Sequence, residues 1–441
     1  MGTNPKTTIN ASGSTLVTTF NNNIGAKYKP STYNYAGNGN GTGINNINNG
    51  SNSFAFTDGN YVVPSNNTPS NIITLPVGLD AVAFVYNIDF VANFTAKAGD
   101  FTLIDNKWQY TQGNGTNTGN DVENTGVDKQ CNDKLRTHPL KITPEIIASI
   151  YKAVITTWDS ADIKNINDIE IAITIPVTST ETETGYISIF NLLVRDNNNE
   201  SIIKPLHRSG STTVNSLLTT YLFQNVQNSG ITSSTTMTTA FGGALTDQGF
   251  SSGSGVLYHL NANKNTFAYT MNSDFLNQQD YDPTNTSQSS SYKLPSARLK
   301  NPAGKFVTLN SSSVAKQFLA QSPTTNYYKD NSIAFNSINY TITVSGGYPL
   351  ISIVSIFWRP TSTQIVYKSF DVVCFLIYLT QQAKFARITA TQTTGNILAD
   401  GLGQDQINTR NMYSFPSFFA QQILETILNE FSDVKATLLS T

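Results

Sequence analysis

The sequence predicts an α/β protein organised as two lobes, on three observations. The chain has 441 residues, more than one hydrophobic core normally organises, so it is expected to divide. Strand-like and helix-like stretches alternate along it, the pattern of mostly parallel sheets flanked by helices. Hydrophobic residues make up 39% and aromatics 11%, enough for a sizeable core and too much for wholesale disorder.

The elements follow in chain order. A strand-like TTINASGST opens the chain. The stretch from Asn34 to Ser53 is low-complexity Asn/Gly, with small residues that permit tight turns. A β-rich run covers Leu75–Ile88, and the polar stretch from Thr111 to Asp133 reads as a long loop. The first clear helix starts at Thr143-Pro144-Glu145: Thr suits the cap, Pro the first helical position and Glu the first turn. Ile146, Ile147, Ile150, Tyr151 and Val154 give it an apolar face. Ile169–Pro176 and Gly185–Arg195 read as strands around the Thr-rich turn Thr178–Thr184. Ser209–Asn228 is a glycine-hinged turn running into a helix. Thr266–Met271 and Ser352–Phe357 read as buried strands; Ser312–Ala320, Asp371–Phe385 and the closing Ser417–Phe431 read as helices. No solenoid-type repeat is present.

Composition narrows the function classes. Charged residues are only 13% and the formal net charge is −2, with no basic stripe, so no nucleic-acid partner is expected. Cys131 lies in a polar stretch and Cys374 in an apolar run, which reads as one exposed thiol and one core residue. His138, His207 and His259 are far apart, so no metal site is expected. The longest apolar run, Val372–Leu379, falls short of the roughly 20 residues that span a bilayer. No secretory signal is visible, which leaves a removed signal or an intracellular protein. Asn-x-Ser/Thr triplets such as Asn10, Asn93 and Asn199 fit a secreted glycoprotein, although a chain this rich in Asn, Ser and Thr produces such triplets by chance. No nucleotide fingerprint is present, and neither catalysis nor a cofactor is expected.

Four short polar segments, each after a strand, carry candidate chemistry. Ala11–Leu16 is either ordinary turn chemistry or a helix start whose free N–H groups face an anion. Gly37–Ile44 alternates glycines, as a linker does and as a backbone anion nest does. Phe54–Gly59 is an apolar strand ending in Asp58. His207-Arg208-Ser209-Gly210-Ser211-Thr212-Thr213 places a planar fork of donors before hydroxyls at a helix start; the alternative is a solvated Arg in a turn.

Together these segments resemble the phosphate-binding proteins of bacterial phosphate importers, the PstS family, and their DING-type relatives. The resemblance runs in order along nearly the whole chain: INASGSTL, YAGNGNGTGI, FAFTDG, LPVGLDAVAFVYNI, ITPEIIASIYKAVITTWDSADIKNIN, HRSGSTTVNSLLTTYL, NTFAYTMNSDF and YPLISIVSIFWRP. It implies a two-lobed, periplasmic-binding-protein-like (type II) fold with a hinge. Residues 1–84 and 272–441 would form one lobe and 85–271 the other, with an added hairpin near 165–205. It implies capture of inorganic phosphate by Thr15, Leu16, Asn40, Asp58, Arg208, Ser209, Gly210, Ser211 and Thr212. Thr15 and Leu16 would donate through backbone and hydroxyl, Arg208 would pair with the anion, and Ser211 and Thr212 would donate hydroxyl and amide bonds. Asp58 would accept the proton that hydrogen phosphate carries and sulfate lacks.

Two departures stand out. Asn40 occupies a position where the family usually has serine. The loop after Arg208 is shortened and lacks the acid that commonly orients the arginine. Retention of Arg208 and Asp58 favours phosphate capture. The shortened loop favours the alternative, a structural or self-assembling surface protein that reuses the fold with a degraded site. A third alternative is another oxyanion or a small polar metabolite. The protein partner would accordingly be a membrane transporter or a self-assembly partner, and the protein would be secreted or at the cell surface.

Overall fold

The computed structural model describes residues 8–14, 21, 32–58, 73–112, 121–178, 180–243, 245, 248–277, 294–321 and 338–358. The helices expected over Asp371–Phe385 and Ser417–Phe431, and Cys374, lie outside these residues.

The chain opens with β1 (Thr8–Gly13), β2 (Thr32–Gly37), α1 (Asn40–Asn48), β3 (Phe54–Asp58) and the long β4 (Ile73–Asn87). The Asn/Gly stretch expected to form tight turns is therefore a strand and a helix. Ile44 and Ile47, three apart, bury one stripe of α1 against Ala55 and Phe357. Asn45, between them in sequence, is exposed. Two well-placed isoleucines outweigh the poor helix propensity of their neighbours, because tertiary burial supplies most of a helix's stability.

Next come β5 (Asn93–Ala96), β6 (Phe101–Ile104), β7 (Lys107–Tyr110), β8 (Val122–Thr125) and α2 (Val127–Thr137). The expected loop over Thr111–Asp133 is corrected by β8 and α2. Val127, Cys131 and Leu135, four apart, form a single buried stripe on a helix whose remaining residues are polar. Cys131 is thus buried rather than exposed, and burial pushes its thiol up to about 12.

β9 (Lys141–Ile142) leads into α3 (Pro144–Tyr151), where the Thr143 side chain accepts from the Ile146 N–H as its sequence signature predicts. Val154, expected on the apolar face, lies beyond the helix end and is exposed. After α4 (Ala161–Lys164), β10 (Glu170–Pro176) and β11 (Thr182–Ser188) pair as an antiparallel hairpin. The second strand expected there ends early, in a 3₁₀ turn over Ile189–Asn191.

The chain continues with β12 (Lys204–Arg208), α5 (Thr213–Asn225), α6 (Met237–Ala240), β13 (Gln248–Phe250), α7 (Gly253–Ala262), β14 (Thr266–Met271) and α8 (Asn272–Asn277). The described part closes with β15 (Arg298–Lys300), β16 (Phe306–Val307), α9 (Ser311–Ala320) and β17 (Ile351–Trp358).

Among the described residues the largest sheet has eight strands in the order β13-β12-β14-β4-β17-β3-β1-β2. β4 joins its two halves. Its first part pairs with β17 from Ile73 to Ala81, and its second with β14 from Val82 to Asn87, both antiparallel. The outer pairs β1–β2, β1–β3, β12–β13 and β12–β14 are parallel, so each half presents strand carboxyl ends where loops can gather. From Ala81 to Tyr86 successive side chains of β4 are apolar and buried on both faces, as in a doubly covered strand. Phe84 and Tyr86 belong to the main core, whereas Ala83 and Val85 pack with Leu206, Leu257 and Leu260 beside α7. Burial of each such large side chain contributes about 1.5–3 kcal/mol.

Candidate functional site

Three segments far apart in sequence meet at the carboxyl ends of β1 and β3. The Ser14 N–H donates to the Phe56 carbonyl at 3.0 Å, and the Gly39 N–H donates to the Gly13 carbonyl at 2.7 Å. Two glycines make this approach possible. Gly13 has φ +137°, and a β-carbon there would stand 2.0 Å from the Phe56 oxygen. Gly43, one turn into α1, would place a β-carbon 2.8 Å from the Gly13 Cα. The glycine spacing therefore seats α1 on the ends of β1 and β3. The α1 cap is Gly39, with no side-chain cap bond, so the helix's first N–H groups are not engaged by a capping side chain.

The fourth segment joins from the other half of the sheet. Asn40, the first residue of α1, donates through Nδ2 to the Thr213 hydroxyl at 3.3 Å, and Thr213 is the first residue of α5. Two helix N-termini, 173 positions apart, thus stand within hydrogen-bond reach of each other. Both are ends where backbone partial charge favours an anion.

Arg208 closes β12 and is 9% exposed. Its Nη2 donates to the Ser251 carbonyl at 2.8 Å, and the Ser209 N–H donates to the Phe250 carbonyl at 2.8 Å. The β13–α7 junction therefore holds the arginine on one side. His207 beside it is buried, its ring against Gly249, and burial pushes its pKa down to about 4. The side chain of Thr212 caps α5 by accepting from the Asn215 N–H at 3.3 Å. The Thr212 N–H donates to the Thr235 carbonyl at 2.9 Å, and the Ser211 hydroxyl donates to Thr235 Oγ1 at 2.8 Å.

Of the residues singled out from sequence, Asn40, Arg208, Ser209, Gly210, Ser211 and Thr212 flank one junction. Asp58 is the last residue of β3, opposite Val354 of β17. Thr15 and Leu16 lie outside the described residues.

Sequence reasoning missed two features. One is the Ser251 carbonyl, a backbone atom with no sequence signal. The other is Asp80, a lone acid in the otherwise apolar β4, and that isolation was its signal. Asp80 is 2% exposed. Its Oδ2 accepts from the Ser273 hydroxyl at 2.6 Å, and its Oδ1 accepts from the N–H groups of Ala81 at 2.8 Å and Ser273 at 3.3 Å. It stands where β4 leaves β17 and takes up β14. Burial pushes its pKa up to about 7 against the pull of those hydrogen bonds, and the nearby Asp274 adds to the rise.

Among the described residues no group of three or more His, Cys, Asp or Glu could hold a metal ion, and no helix is long and apolar enough to cross a membrane.

Comparison with known proteins follows this geometry. The family profile described as PBP superfamily domain matches residues 2–362. No curated protein matches the chain. Among solved structures, a high affinity periplasmic phosphate-binding protein, PfluDING, bound with phosphate, aligns with TM-score 0.54 at 14% identity, over 94% of this chain and 92% of its own. A phosphate-binding protein from Stenotrophomonas maltophilia aligns with TM-score 0.52 at 12% identity, over 95% and 93% respectively. An ancestral soluble variant of the human phosphate-binding protein aligns with TM-score 0.51 at 13% identity, over 94% and 92%. At these identities the likeness is one of fold, and the fold is that of the type II periplasmic binding proteins. With the family profile matched over most of the chain and a mixed α/β sheet joined through one shared strand, the protein belongs to the PBP superfamily and has a PstS-like fold.

Proposed function

We propose that this chain is a non-catalytic solute-binding protein that captures inorganic phosphate in a cleft between two lobes. Residues 1–84 and 272–441 form one lobe and 85–271 the other, hinged where β4 and the β14–α8 segment cross. The observation that carries the reading is the meeting of the α1 and α5 N-termini, through Asn40 and Thr213, at the end of the short loop that begins with the largely buried Arg208. Two helix N-termini in contact, with an arginine at the start of the loop leading into one of them, suit a dianion better than a neutral solute. Thr15, Leu16, Asn40, the N–H groups of Gly210 and Ser211 and the hydroxyls of Ser209 and Thr212 supply donors around the phosphate oxygens, and Asp58 accepts the proton of hydrogen phosphate. The relatives described as phosphate-binding support this ligand, and the one described as periplasmic supports a place outside the cytoplasm. In that setting the exposed Asn93 and Asn199 would accept glycans in a glycosylating host. A membrane transporter or a copy of the chain is the expected protein partner.

The test is calorimetric titration of ligand-stripped protein with phosphate and with sulfate. Phosphate binds and sulfate does not, and Arg208→Ala loses at least about thirtyfold in phosphate affinity, as for truncation of a buried charged partner. Asp58→Asn narrows the gap between the two anions. Absence of heat with phosphate, from wild-type protein shown to be folded, overturns the reading.

A further inference from the structure

We propose that Asn215 is the positioning residue of the Arg208–Thr212 loop, fixing the direction in which the loop's N–H groups point. The proposal rests on the phosphate reading of that loop for its functional consequence. The Asn215 side chain is fully buried. Its Nδ2 donates to the carbonyls of Arg208 at 2.9 Å, Gly210 at 3.2 Å and Thr235 at 3.2 Å. Its Oδ1 accepts from the Tyr269 hydroxyl, and Tyr269 belongs to β14, a strand rather than a loop.

The arrangement has a definite chemical sense. A primary amide carries two N–H donors and one carbonyl acceptor, so one of its donors is shared between two of the three carbonyls. The phenol on Oδ1 holds the amide with its nitrogen toward the loop. Two of the three carbonyls come from the loop itself. In a trans peptide the carbonyl of one residue and the N–H of the next point in opposite directions. Turning the Gly210 carbonyl inward to Asn215 therefore turns the Ser211 N–H outward, away from the protein core. The same contacts draw two carbonyl oxygens, which would repel an anion, to the inner side of the turn. The Thr235 carbonyl that Asn215 also holds accepts from the Thr212 N–H, so both flanks of the turn are pinned to one side chain. A neutral amide on α5, aided by the Ser251 carbonyl on the Arg208 guanidinium, orders the loop.

Two measurements test this. In ligand-free protein, Asn215→Ala speeds hydrogen exchange of the Ser211 amide at least about tenfold, while amides in β14 and α3 keep their rates. In phosphate titrations, Asn215→Asp weakens binding at least about tenfold at pH 8, and part of the loss is recovered at pH 5 relative to wild type at the same pH. There the introduced carboxyl is protonated and no longer repels the three carbonyls, a pH profile that simple destabilisation does not produce. If Asn215→Ala does not fold, Tyr269→Phe, which removes only the orienting phenol, carries both readouts with a smaller change of about threefold. Unchanged Ser211 exchange in the folded variants overturns the proposal whether or not wild type binds phosphate. Wild-type phosphate affinity retained by Asn215→Asp while Arg208→Ala loses it overturns the proposal and leaves the phosphate reading standing. Failure of wild type to bind phosphate sinks that reading alone, and the exchange data then decide the loop.

Discussion

Asp80 and His207 sit on the same eight-stranded sheet, one at the crossing point of β4 and the other at the end of β12 beside the arginine. Both are buried and both are perturbed mainly by burial, yet they respond to pH in opposite senses. The acid holds its proton more tightly in the folded chain, at about 7 against 3.8 for the ordinary carboxyl. The stability this contributes is complete below about pH 4 and is lost as pH rises through 7. The imidazole holds its proton less tightly when folded, at about 4 against 6.5. Its contribution is complete above about pH 6.5 and is lost as pH falls through 4. The two windows overlap, so the two slopes oppose each other. Burial always favours the neutral form; whether that reads as acid or alkaline sensitivity depends only on which form is neutral.

The largest expected effect follows from separating the pair. Asp80→Asn removes the alkaline arm, on the order of 4 kcal/mol between pH 4 and 7 given the shift to about 7. Denaturant unfolding of the variant across that range then shows stability falling only toward acid. A profile parallel to wild type breaks the comparison. His207→Asn does the reverse and leaves stability falling only as pH rises. It sharpens the comparison because its change is opposite in sign and smaller.

Ser273→Ala is next in size. It removes the hydroxyl that donates to the Asp80 carboxyl at 2.6 Å, and the loss of such a charge-assisted bond costs about 1.5–3 kcal/mol at pH 8. The same change moves the Asp80 titration upward, followed by carboxyl carbon NMR; a downward move contradicts the assigned contact. Ser352→Ala is smallest. Ser352 faces Asp80 across the β4–β17 pair, but its buried hydroxyl has no hydrogen-bond partner among the described residues. Its removal changes stability by less than about 1 kcal/mol and leaves the pH profile alone. An effect as large as that of Ser273→Ala shows that Ser352 does bind the carboxyl.

Legibility from sequence differed along the chain for physical reasons. The helix at Pro144 and the strands at β4, β14 and β17 were readable because their caps or apolar runs are local signals. α1 and α2 were not, because each rests on two or three buried residues on an otherwise polar helix. The Val127, Cys131 and Leu135 stripe has meaning only once something is packed against it. The candidate site was partly readable. Arg208 and the Ser/Gly/Thr run announce anion chemistry by residue type, whereas Asn215 looks like any polar helix residue until its amide meets the carbonyls of Arg208, Gly210 and Thr235.

The amino-acid sequence by itself determined the α/β alternation, the capped start of α3, the apolar strand that joins the two halves of the sheet, and the presence of an arginine before a helix start. Each depends on residues close together in the chain. Only the tertiary structure decided that Asn40 meets Thr213, that Ser251 holds Arg208, that Tyr269 orients Asn215, and that Asp80 is buried against Ser273. Those pairings span tens to nearly two hundred positions, and the direction of a hydrogen bond or the burial of a carboxyl is set by what lies opposite in space rather than by what lies next in sequence.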